Sequence, residues 1–75
     1  LQGADLSDAY LHTAYLRQSD LSDTNLQNSI LIEADLREAI LDGANLSGTD
    51  LTEASLRNGS LAGADLRGTN LDGVD

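Results

Sequence analysis

Leucine occupies every fifth position from Leu1 to Leu71, fifteen times without a gap. Two residues ahead of each leucine from Leu6 onward stands a small side chain, as at Ala4, Ala14, Thr24, Ala34, Ala39, Ala44 and Ala64, and Val74 continues the row. The unit reads small–polar–Leu–any–any: Ala4-Asp5-Leu6, Ala44-Asn45-Leu46, Ala64-Asp65-Leu66. Neither regular element accepts this spacing. On a helix turning ~100° per residue, successive leucines land ~140° apart and spread around the cylinder. On a straight strand a five-residue step is odd, so the leucines alternate between faces. The small residue and the leucine, two apart, do share one face of a short extended stretch. If the remaining residues then turn a corner, the next pair faces the same interior. Repeated bends of one hand predict a solenoid whose turns stack at ~4.8 Å.

The run of Ala-Asp/Asn-Leu-x-x units resembles the pentapeptide-repeat family along the whole chain. The resemblance implies an all-β fold, a right-handed quadrilateral β-helix with four five-residue sides per coil and about 3.75 coils in 75 residues. It also implies a bacterial protein, with a cyanobacterial source in keeping. The leucine and the small residue point inward. The expected core is Leu6, Leu11, Leu16, Leu21, Leu26, Leu31, Leu36, Leu41, Leu46, Leu51, Leu56, Leu61 and Leu66, with Ala34, Ala39 and Ala44.

Charge offers a separate argument about the number of sides. Asp5, Asp20, Asp35, Asp50 and Asp65 recur every fifteen residues, and Arg17, Arg37 and Arg57 every twenty. A three-sided coil would stack the five aspartates in one repulsive column ~4.8 Å apart. A four-sided coil winds them around the rod and stacks the three arginines, with Asp35 and Glu38 close by. Four sides are favoured. The Leu31 side then carries the most negative charge, from Glu33, Asp50, Glu53 and Asp72, whereas the Leu36 side is neutral. Glycine gathers in the C-terminal half at the unit's last position, a corner that it eases.

Composition narrows the function more than it names it. The net charge is −9, from 13 acids against four arginines, and no cysteine is present. That balance disfavours nucleic acid and anionic membrane as direct partners, and leaves no thiolate site or disulfide framework. No apolar run approaches a membrane span and no charged-then-apolar leader opens the chain, so a soluble, cytoplasmic protein is the default expectation. At this length a single solenoid over 1–75 is expected. A start without Met and a stop inside a unit suggest part of a longer array, whose uncapped coil ends would associate end to end with another copy or be covered by segments absent from this sequence.

Candidate chemistry is sparse. His12 is the only histidine and lies at an outward position with no motif around it. The aspartates follow no glycine-rich calcium-binding nonapeptide, and the threonines at 24, 49 and 69 face inward rather than forming an outward column. Phosphate loops, nucleophile elbows and paired-carboxylate motifs are missing. No catalytic residue, cofactor or metal is therefore assigned, and an enzyme is not expected. Apolar residues at outward positions are more informative. Tyr10, Ile30 and Ile32 fall on the most acidic side with Glu33, Asp50 and Glu53, and Tyr15 lies one corner away. They read either as ordinary surface scatter or as a contact patch for another protein. A structural or protein-interaction module is the leading expectation. The alternative is an acidic DNA mimic acting on a type II topoisomerase such as gyrase, since the chain places one charge per ~2 Å of rod against ~1.7 Å in duplex DNA.

Overall fold

The computed structural model describes residues 1–75. Each five-residue unit is a bend followed by a single ladder residue. The leucine carbonyl accepts the amide of the small residue three positions on, as in Ala34 N to Leu31 O (3.0 Å) and Ala39 N to Leu36 O (3.0 Å). The third residue of every bend has positive φ, the conformation a type II turn places there. Glycine fills that place at Gly43 and Gly48 (φ 71° and 68°), but Glu33, Glu38 and Glu53 adopt it as well (φ 59°, 63° and 59°). Glycine is thus permitted at the corner rather than demanded by it.

The polar residue that follows forms a parallel bridge to the residue twenty positions away: Asn25 to Asn45, Ile30 to Asp50, Asp35 to Ser55. One turn of the chain therefore consumes four units. No bridge joins two aspartates, which is the separation that the charge argument for four sides requires. The bridges are isolated and no continuous strand forms. The sheet-like ladder expected of an all-β coil is thus reduced to one bridged residue per side, because each side bends again within five residues.

Accounting for the amides explains the repeat. In the unit around Leu26, Asn25 N donates to Ala4 O below (2.9 Å), Leu26 N to Asn45 O above (2.8 Å) and Asn28 N to Ser47 O above (3.0 Å). Ser29 N closes the bend on Leu26 O (3.0 Å). Only the amide after the leucine remains, and the Asp or Asn side chain caps it. Asn25 Oδ1 accepts from Gln27 N (3.1 Å), Asn45 Oδ1 from Ser47 N (3.0 Å) and Asp50 Oδ1 from Thr52 N (3.0 Å). Asp5, Asp20, Asp35, Asp65 and Asn70 do the same. The aspartate or asparagine of the unit is thus a local backbone acceptor that completes the turn's hydrogen bonding.

Inside, Leu21, Leu26, Leu31, Leu36, Leu41, Leu46 and Leu51 are at most 1% exposed and pack with Ala34, Ala39, Ala44 and Ala54. Leu6, Leu11, Leu16, Leu56 and Leu61 are only partly buried, although they pack against that cluster. Leu66 departs from the expected core. It is 37% exposed, because within residues 1–75 no turn of chain stacks above it.

Three inward positions on one column are polar. Thr49 Oγ1 donates to Leu26 O (2.9 Å) and Thr69 Oγ1 to Leu46 O (2.8 Å), but Ser29 Oγ, one turn below Thr49, is buried without a partner. An unpaired buried hydroxyl costs roughly 1–3 kcal/mol. Ser29→Ala should therefore raise stability by about 1 kcal/mol, while Thr49→Ala lowers it by a similar amount. Urea midpoints of the two variants check this, and a Ser29→Ala variant less stable than wild type would overturn it.

Candidate interaction surface

On the Leu31 side the bridged column runs Tyr10, Ile30, Asp50, Asn70. Tyr10 is 73% exposed, and its ring lies 6.0 Å from that of His12, tilted by 42°. Ile30 and Ile32 are half-buried on the same side. Tyr15 is 71% exposed but sits around the corner on the next side, bridged to Asp35. The structure thus brings Tyr10, Ile30 and Ile32 together, with Tyr15 on an adjoining face.

The acids of this surface divide into two kinds. Asp50 is committed to its own turn, where Oδ1 accepts from both Thr52 N (3.0 Å) and Thr52 Oγ1 (2.5 Å), and these bonds hold its carboxyl below its ordinary pKa. Glu33 and Glu53 stand exposed at the corner, one turn apart, and neither forms an ion pair.

Tyr10 and Ile30 occupy the place that Asp or Asn fills in most units. Neither can cap, and the amides of His12 and Ile32 consequently find no partner within the protein. The same is true at Tyr15 for Arg17 and at Ile40 for Asp42.

Beside this surface a groove of ≈ 360 Å³ opens across the Leu36 side. It is lined by Glu33, Ala34, Asp35, Arg37, Glu53, Ser55, Arg57 and Asp75. Arg37 grips Asp35 with Nε and Nη2 (2.8 and 2.6 Å), and chiefly this hydrogen bonding draws the Asp35 carboxyl from 3.8 down to about 2. Arg57 reaches Asp75 at 2.5 Å, and Arg17 reaches Glu38 at 3.3 Å. Sequence reasoning anticipated the arginine column and its acidic neighbours but passed over Ser55. The signal was present, since Ser55 interrupts the Asp/Asn position between Asp35 and Asp75, the residues twenty places before and after it. No helix is long and apolar enough to cross a membrane.

These features define a parallel solenoid of five-residue sides with a leucine interior and a variable outer surface. The chain belongs to the pentapeptide-repeat family: the profile for pentapeptide repeats matches residues 1–31, 19–58 and 49–75. Among solved structures, the pentapeptide repeat protein Rfr23 from the cyanobacterium Cyanothece 51142 is 44% identical, with a TM-score of 0.99 over 100% of this chain and 51% of its own. A pentapeptide repeat protein from Nostoc PCC 7120, alr5209, is 41% identical, with a TM-score of 0.96 over 97% of this chain and 60% of its own. The present chain thus spans about half to three-fifths of these relatives. QnrB1, a plasmid-mediated fluoroquinolone resistance protein, shares the fold at 22% identity, with a TM-score of 0.56 over 95% of this chain and 38% of its own. No curated protein matches the sequence.

Proposed function

We propose that the chain is a non-enzymatic protein-interaction module, a right-handed four-sided coil of about 3.75 turns that presents the Tyr10–Ile30–Ile32 surface to another protein. The observation that carries this reading is the loss of the cap. At Tyr10 and Ile30 an apolar side chain replaces the Asp or Asn that elsewhere bonds the following turn, so the amides of His12 and Ile32 go without a protein partner. That exchange weakens the coil locally and adds nothing to the leucine core, since Tyr10 is 73% exposed and the half-buried Ile30 lies outside that cluster. Residues that break a local structural rule without a compensating structural gain point to use of the surface. Glu33 and Glu53, free of ion pairs at its edge, favour a basic rim on the partner.

A photocrosslinker placed at Ile32 should capture one discrete species, saturably and in competition with unlabelled protein. A crosslinker at Gln27, exposed on a different side, should not. Tyr10→Ser combined with Ile30→Asn should abolish capture and leave the coil folded, because asparagine restores the cap. Equal capture from both positions would refute the surface.

Net charge supports a second reading. The value of −9 on a rod rising ~4.8 Å per turn approaches the charge density of duplex DNA, ~1.7 Å per charge, as a DNA-mimicking gyrase ligand requires. The neutral Leu36 side and the paired arginines on it count against this reading. Gyrase supercoiling with and without the protein separates the two: unchanged supercoiling is expected of the module, inhibition or protection of the mimic.

A further inference from the structure

Ser55 and Ser60 both stand where the unit usually carries Asp or Asn, and the chain treats them differently. At Ser60 the missing acceptor is supplied from the turn below. Asp42 Oδ1 accepts both from Ser60 Oγ and from Ala62 N (3.1 Å for the amide). A serine hydroxyl and the amide two residues on thus form a two-donor cradle for one oxygen. At Ser55 the residue in the place of Asp42 is Arg37, which has no acceptor to offer. The cradle there is unfilled: Arg57 N has no partner and Ser55 Oγ is shut away unbonded. Ser55 therefore keeps the two donors of the Ser60 arrangement without its acceptor. Ser55 and Arg57 both line the groove described above.

The walls of the groove decide what the oxygen belongs to. Arg37 and Arg57 are already engaged by Asp35 and Asp75, whereas Glu33 and Glu53 are unpaired. A free anion would enter a site whose four carboxylates outnumber its two guanidinium groups, so it is repelled. A neutral carbonyl oxygen on a chain that also bears a positive charge satisfies both halves. We propose that this groove binds a lysine- or arginine-bearing segment of a partner protein. A backbone carbonyl of the segment takes the Arg57 amide and the Ser55 hydroxyl, which turns out of its buried position to meet it, and its cationic side chain lies between Glu33 and Glu53. The proposal rests on the chain being an interaction module and gives that module's partner a chemistry.

The test follows the Arg57 amide by NMR in the 15N-labelled chain. The titrant is the blocked peptide acetyl-Gly-Lys-Gly-Lys-Gly-amide. Its glutamate counterpart, propylammonium and acetate serve as controls. The lysine peptide should shift the Arg57 amide proton downfield and saturably. Propylammonium, lacking a carbonyl, should leave that amide in place, as should the two anions. Ser55→Asp supplies the cap from within, as Asp35 does for the Arg37 amide (3.2 Å), and should weaken binding at least about tenfold without lowering thermal stability. Glu33→Gln with Glu53→Gln should weaken it by about the same factor while the Arg57 amide of the free protein stays unchanged. An Arg57 amide indifferent to the lysine peptide, an equal response to acetate or the glutamate peptide, or undiminished binding by Ser55→Asp would each overturn the proposal. Crosslinking at Ile32 that persists in Ser55→Asp alongside any of these results would leave the module standing and remove the groove alone.

Discussion

Leu36→Ala should cost about 2–5 kcal/mol, a loss shared only by truncations of the other fully buried leucines. Leu36 is 0% exposed and lies between Leu16 and Leu56 on its column, with Ala34 and Ala39 beside it in the core. The backbone around it is held by bonds to the turns above and below: Leu36 N to Ser55 O (2.8 Å) and Asp35 N to Ala14 O (2.9 Å). The coil cannot collapse into the vacated volume without breaking that ladder, so the cavity term should sit toward the upper end. Two comparisons in the same urea titration give the number its meaning. Arg37→Ala, one residue on, removes a half-exposed ion pair with Asp35 and should change stability by at most about 1 kcal/mol. Leu66→Ala repeats the leucine truncation where the side chain is 37% exposed and should cost only about 1 kcal/mol. Equal losses at Leu36 and Leu66 would mean that burial, and with it the inward leucine row, does not govern stability here.

The leucine row was legible because a five-residue period is incompatible with both regular elements, so the only way to gather Leu21 through Leu51 inside is to bend after each one. The position of the small residue was legible for the same reason. How far burial extends was less so: Leu6 and Leu66 carry the same motif as Leu46, and only the stacking of turns shows that they are less covered. The role of the polar position was not legible. Read as charge, Asp50 marks the most acidic side and Asp35 offsets the arginine column. In the structure each is folded back onto the amide two residues ahead, a contact set by local backbone geometry that spacing does not reveal. Once that role is known, the sequence becomes more informative, since Tyr10, Tyr15, Ile30, Ile40 and Ser55 stand out as the units that gave the cap up. Of the surface residues singled out from sequence, Tyr10, Ile30 and Ile32 share a face, Glu33 and Glu53 edge it, Asp50 turns to its own backbone, and Tyr15 lies around the corner.

The caps also make the fold acid-sensitive, with a sign that can be worked out. Asp35 and Asp65 are each held at about 2, below the ordinary 3.8, first by side-chain hydrogen bonds from Arg37 and Arg67. Asp5, Asp20 and Asp50 are also lowered, chiefly by the hydroxyls of Ser7, Ser22 and Thr52 and then by the capped amides. A carboxylate whose pKa is depressed by folding contributes stability that is fully present above its unfolded value. That contribution is lost as pH falls through the folded one. All five act in the same direction, so the thermal midpoint should drop between about pH 4 and pH 2. Relief of self-repulsion in a chain of net charge −9 works the other way. For these five groups the caps prevail, because their pKa values lie below 3.8 despite the surrounding negative charge. Asparagine separates capping from titration. Asn45 bonds Ser47 N and Oγ (3.0 and 2.7 Å) much as Asp50 bonds Thr52, and it does not ionise. The triple variant Asp5→Asn, Asp20→Asn, Asp50→Asn should therefore keep its caps and show a shallower fall than wild type. What remains of the fall should come from Asp35 and Asp65 with their arginines. If the triple variant follows the wild-type curve over that range, the hydroxyl-capped aspartates are not what acid attacks.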